Sequence, residues 1–128
     1  KQLDQAKVKN IIQNKNKIID SKFDSIIFRQ QVLTDLPPKE LRAIVDQGKK
    51  EIKAGIIMAC CIHEGKIGVA IGITDKLVDK FDAVKLVKEA AKILGGKGGG
   101  GRRDFAQAGG INKNKIEEAY KALSKKIN

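Results

Sequence analysis

The sequence predicts a mixed α+β (mixed α/β) domain, with a central β-sheet containing a hydrophobic hairpin, helices packed on it, and an N-terminal helix in front. Three observations carry this prediction. Two apolar runs, GIIMACCI and KIGVAIGIT, are joined by the short turn His63-Glu64-Gly65, the pattern of an antiparallel pair. Segments on either side of the pair have apolar residues at helical spacing, as expected of helices that bury one face. The chain has 128 residues, 41% of them hydrophobic, enough for one core and too few for two of ordinary size.

Taken in order, residues 1–22 read as a helix, with Leu3, Val8, Ile11, Ile12, Ile18 and Ile19 among lysines and asparagines. The apolar stripe is thin and Lys15 interrupts it, so this helix either ends a coiled coil or packs on its own domain. Residues 1–23 are accordingly set apart as a helical linker, and residues 24–128 as the globular domain. The chain starts at Lys1 within a helical pattern and without an initiator Met, so it reads as a piece of a longer protein.

Residues 25–33, SIIFRQQVL, are β-branched and aromatic at their start and predict a strand. Pro38 suits the first turn of the helix that follows, where Leu41, Ile44, Val45 and Ile52 share one side and Gly48 marks a close contact. Both hairpin runs are apolar at successive positions, which predicts central strands covered on both faces. Gly68 and Gly72 on the second run predict close approach of a helix. Residues 83–94 form a helix with Val84, Val87, Ala91 and Leu94 inward, ending at Gly95. Residues 104–108, DFAQA, predict a short edge strand. Asn112 then caps a last helix in which Ile116, Ala119, Tyr120, Leu123 and Ile127 face inward, while Lys113, Lys115, Lys121, Lys125 and Lys126 face outward.

Between the last two helices lies GGKGGGGRRDFAQAGG, residues 95–110, with eight of the chain's 13 glycines and two of its four arginines. Glycine loses more backbone freedom on ordering than any other residue, so such a run needs a compensating contact. Main chain without side chains lets another molecule approach, and its N–H groups can converge into an anion-binding nest. Lys97, Arg102 and Arg103 surround it with cations, and arginine presents phosphate with a planar fork of donors. The tract is neither a Gly/Ser linker nor a dinucleotide fingerprint, which must follow a strand. A phosphate-binding P-loop would need Ser or Thr after Lys97 and Gly in place of Ala91.

The net charge is +11. Residues 1–23 carry six Lys against two Asp, and residues 92–128 nine Lys and Arg against three acids, while residues 24–91 are nearly neutral with 11 basic and 10 acidic groups. This asymmetry points to a polyanion, RNA or DNA, ahead of a membrane surface. No apolar run approaches the ~20 residues of a membrane span. Few aromatics are available to stack on bases. Cys60 and Cys61 are adjacent, so in a strand they point to opposite faces and cannot close on one metal ion. They read as reduced thiols of a cytoplasmic protein. His63 is the only histidine, and no Ser–His–acid or Cys–His spacing supports catalysis.

The glycine-rich tract, together with PKELRAIVD, the hairpin around HEGKIGVAIG and the helix after it, resembles the C-terminal domain of alanyl-tRNA synthetases, the C-Ala domain of the DHH-associated family. The resemblance covers residues 25–128. The usual wording has Pro where Arg103 stands and Met where Phe105 stands, so a rigid Arg-Pro turn is not required. The resemblance implies a non-catalytic domain that binds tRNA for alanine at its outer corner and supports aminoacylation and editing by other domains. It implies no cofactor in this segment, with ATP and Mg2+ used by the parent ligase, and it allows a homodimer through the N-terminal helix. The expected contacts are Lys97, Gly98, Gly99, Gly100, Gly101, Arg102 and Arg103, with Asp104 and Gln107 orienting the loop or touching ribose. Two alternatives stay open: an oligomerisation module, and the substrate-binding domain of a DHH-family nuclease.

Overall fold

The structure is a computed structural model and describes residues 16–23, 25–34, 37–96 and 99–127. Its strands are β1 (Asn16–Phe23), β2 (Ile26–Thr34), β3 (Gly55–His63), β4 (Lys66–Ile73), β5 (Gly100–Arg102) and β6 (Phe105–Gly110). Its α-helices are α1 (Leu41–Ile52), α2 (Ala83–Ile93) and α3 (Ile116–Ile127), and short 3-10 turns lead into α1 and α3. Among the described residues the strands form one sheet in the order β1-β2-β3-β4-β6-β5. β2 and β3 run parallel, with α1 as the crossover that a parallel pair requires, and the other neighbours are antiparallel.

The hairpin strands β3 and β4 lie in the middle of the sheet and are buried on both faces, as their continuous apolar sequence predicts. Strand alternation sends Ile56, Met58 and Cys60 into the core layer with α2 and α3, and Ile57, Ala59 and Cys61 into the smaller layer under α1. The glycines under α1 explain its closeness. A β-carbon at Gly72 would overlap Val45, one at Gly68 would sit 3.3 Å from Leu41, and one on Gly48 of the helix would overlap Ile57. On the other face Tyr120 of α3 stacks on Phe28 of β2, with ring centroids 4.6 Å apart.

Three expectations are corrected. The helix expected over residues 1–22 is a strand from Asn16 to Phe23; residues 1–15, and the dimerising helix read there, lie outside the described residues. The strand wins because both of its faces are tied into the domain. Asp20 is salt-bridged to Arg29 of β2 at 2.8 Å, and Ser21 is hydrogen-bonded to the Tyr120 hydroxyl at 2.8 Å. The DFAQA segment is not the edge of the sheet, because β6 lies between β4 and β5 and the glycine tract forms the edge. The last helix begins at Ile116, after a 3-10 turn over Lys113–Lys115 in which Lys115 N–H donates to the Asn112 carbonyl at 2.9 Å.

Arg29 is mostly buried and holds two carboxylates, Asp20 and Glu51. Its hydrogen bond is the main reason the Glu51 carboxyl titrates below its usual range, with a further contribution from Gln47. A depressed carboxyl stabilises the fold above its unfolded pKa, and that contribution is lost as pH falls through the folded value. Acid titration of stability between about pH 5 and pH 3 should therefore fall less steeply in Arg29→Met than in the parent chain. Gly72→Ala should cost about 1–3 kcal/mol in chemical denaturation, through forced repacking against Val45.

Candidate nucleic-acid interface

The tract begins where α2 ends. Gly95 takes φ +79, and the Gly96 N–H donates to the Ala91 carbonyl at 2.8 Å, closing the helix with a left-handed glycine cap. Beyond it the main chain runs against β6. A β-carbon at Gly96 would overlap the Gly109 carbonyl, one at Gly99 the Gln107 carbonyl, and one at Gly101 the Phe105 carbonyl. These glycines are required by packing on β6. Gly100 differs: a β-carbon there would meet nothing within 4 Å. The tract thus ends in the strand β5, the edge of the sheet among the described residues, and Gly100, Gly101 and Arg102 are all exposed. Such an edge presents main-chain N–H and C=O groups without ladder partners. Lys97 and Gly98 lie outside the described residues.

The pairing register puts Gly100 opposite Gln107 and Arg102 opposite Phe105, so these four residues share the α1 face of the sheet. Arg102 is 68% exposed, with its Nε 3.6 Å from an Asp104 carboxylate oxygen. Arg103 is committed differently. Its Nε and Nη2 donate to the Val78 carbonyl at 3.0 and 2.8 Å, and its Nη1 lies 3.5 Å from Asp82. The Asp82 carboxylate accepts the Val84 N–H at the start of α2, and the Arg103 carbonyl accepts the Ala83 N–H. Arg103 therefore fastens the β5–β6 turn to the N-terminus of α2. The Asp104 carbonyl accepts the Ile73 N–H of β4 at 2.9 Å, which anchors the other side of the same turn.

One residue of this surface was not identified from the sequence. Arg42, exposed on α1, lies over the Phe105 ring with its guanidinium carbon 5.1 Å from the centroid. Stacking on an aromatic face leaves the guanidinium edge available for an anion. No sequence pattern could have linked positions 42 and 105, because their contact depends on β6 lying inside the sheet.

Cys60 and Cys61 are buried on opposite faces, and burial pushes both thiols up from their ordinary pKa. His63 lies at the end of β3, 3.8 Å from the Glu64 carboxylate. Among the described residues no group of three or more His, Cys, Asp or Glu could hold a metal ion. Nor is any of their helices long and apolar enough to cross a membrane.

Comparison with known proteins places this geometry in context. The model of the DHHA1 domain matches residues 25–128. The alanine–tRNA ligase of Hyphomonas neptunium is 53% identical over 85 residues, 66% of this chain and 10% of the relative. That of Parvibaculum lavamentivorans is 45% identical over 92 residues, 71% of this chain and 10% of the relative. The chain thus spans about a tenth of the length of the curated relatives it matches. Among solved structures, the C-Ala domain from Aquifex aeolicus alanyl-tRNA synthetase superposes with a TM-score of 0.77 at 31% identity, over 84% of this chain and 96% of that one.

The packing separates the glycines by experiment. Gly99→Ala should lower the thermal midpoint and loosen amide protection across β5, because its β-carbon has no room beside Gln107. Gly100→Ala should leave stability within about 0.5 kcal/mol of the parent, as at an open surface position.

Proposed function

The chain belongs to the DHHA1 domain family, and on that premise we propose that it is the C-terminal tRNA-binding domain of an alanine–tRNA ligase. It holds the outer corner of tRNA for alanine while aminoacylation and editing take place in other parts of the enzyme. In this reading the parent ligase works in the cytoplasm with ATP and Mg2+, and this domain contributes binding without chemistry. The likeness to a C-Ala domain over nearly its whole length favours this reading over the nuclease alternative.

The observation that carries the proposal is the exposed edge strand β5 with an exposed guanidinium on it, Gly100 being open on the α1 face and Arg102 68% exposed beside Asp104. Outward main-chain N–H groups of the edge strand donate to phosphate oxygens. Arg102 adds a forked donor pair. Arg42, stacked on Phe105, adds a second cation whose orientation is already fixed. Arg103 acts mainly by holding the turn in register, since its donors face Val78 and Asp82. The sequence assigns Lys97 and Gly98 to the same contact, and Asp104 and Gln107 offer acceptors to ribose hydroxyls. Contacts of this kind recognise backbone shape with little base preference. One feature favours the oligomerisation reading: among the described residues β1 is the opposite edge of the sheet. Sedimentation of the whole chain, and of a chain lacking residues 1–15 that keeps β1, tests that reading.

Affinity for tRNA for alanine should fall with added salt along a linear log–log plot, and Arg102→Ala should reduce the slope by about one. Arg102→Ala should leave the thermal midpoint unchanged, whereas Arg103→Ala should lower it by a few degrees through loss of the Val78 contact, worth about 1 kcal/mol. Affinity that stays flat between low and moderate salt would contradict the electrostatic account.

A further inference from the structure

A second cationic feature lies apart from the glycine tract. At the C-terminal end of α1 a cleft of about 310 Å³ is lined by Lys49, Lys50, Lys53, Thr74, Asp75 and Lys76. Four ammonium groups surround one carboxylate, and among the described residues none of the four lysines has an ion-pair partner. Arg29 shows the contrast, since its charge is met by two carboxylates. Lys49 and Lys50 complement the C-terminal end of a helix dipole. The same dipole favours a cation at Lys53, the C-cap, but does not reach Lys76, which comes from the segment after β4.

Lys53 also has an unusual backbone. It takes φ 63 and ψ −55, and the Ala54 N–H donates to the Ile52 carbonyl at 2.6 Å, which is the rarer and strained form of γ-turn. A glycine would relieve that strain. A lysine stands there instead, on the wall of a cleft lined by three more. The floor is rigid: Thr74 is buried, its hydroxyl accepts the Gly55 N–H at 3.0 Å, and its own N–H donates to the Gly55 carbonyl at 3.1 Å.

The cleft lies at the same end of the sheet as Arg102. Lys49 lies beside Gly72, where an added β-carbon would come within 2.9 Å of its side chain, and Gly72 pairs with Phe105, which pairs in turn with Arg102. Both features therefore occupy the same end of the sheet.

We propose that this cleft is a second anion site, which takes a backbone phosphate of the same RNA that lies along β5. The identity of the RNA rests on the function proposed above; the anion chemistry of the cleft does not. Lys49, Lys53 and Lys76 converge on the phosphate from three sides, and the γ-turn is retained because it holds Lys53 on the cleft wall.

Two titrations test this, one with tRNA for alanine and one with inorganic pyrophosphate followed by amide NMR. The combined variant Lys49→Gln, Lys53→Gln, Lys76→Gln should lower the tRNA salt slope by about one to two and the affinity roughly tenfold at low salt, independently of Arg102. Lys53→Gly should raise the thermal midpoint while weakening tRNA binding by roughly two- to fivefold. Pyrophosphate should shift the amides of Lys53, Ala54, Thr74 and Asp75 in the parent chain and not in the triple variant. If tRNA does not bind but pyrophosphate shifts these amides, the tRNA reading fails and the anion site stands. If tRNA binds the parent chain and both lysine variants equally, or if pyrophosphate leaves the amides unmoved, the proposed site is overturned.

Discussion

A β-carbon at Gly96, Gly99 or Gly101 would occupy space already filled by the main chain of β6, and the rest of the functional surface follows from that constraint. The tract must be glycine to lie flat as the last strand. Lying flat, it forms the exposed edge strand β5 and leaves the α1 face open at Gly100. The two anchors of the β5–β6 turn, Arg103 on Val78 and the Asp104 carbonyl on Ile73, then fix where Arg102 emerges. The entropy lost in ordering Gly96, Gly99 and Gly101 is offset by their packing on β6 of the same chain, so the surface is formed before any ligand arrives. A preformed surface binds at lower entropic cost than a loop that orders on contact.

Charge in this fold divides into groups spent on the structure and groups left for a partner. Arg29 and Arg103 belong to the first kind, each held by carboxylates or carbonyls of the domain. Arg102, Arg42 and the lysines around the end of α1 belong to the second. Averaging charge along the chain hides this division. Residues 24–91 are nearly neutral in total, yet Lys49, Lys50, Lys53 and Lys76 gather there around one cleft that Asp75 alone lines with a carboxylate.

Much of the fold was legible in the sequence where one residue type has one physical use. The central hairpin follows from two uninterrupted apolar runs, and Gly68, Gly72 and Gly48 mark the approach of α1 because only glycine tolerates it. The inward residues of α3 follow from helical spacing. Legibility failed where the deciding contacts were distant in sequence. Ile18 and Ile19 fit a helical stripe as well as a strand, and Asp20 with Arg29 and Ser21 with Tyr120 decide the matter. The importance of the glycine tract was legible, but its mechanism was not. The sequence suggested an open nest, whereas Gly96, Gly99 and Gly101 are explained by β6, whose position inside the sheet no local pattern records.

The central claim is that RNA lies along the rim of β5. Its most direct test is an amide NMR map of the chain with and without tRNA for alanine. The account predicts the largest perturbations at Gly100, Gly101 and Arg102 and across the following turn, with β1 unchanged. Perturbations concentrated on β1 or α3, with β5 unaltered, would contradict it.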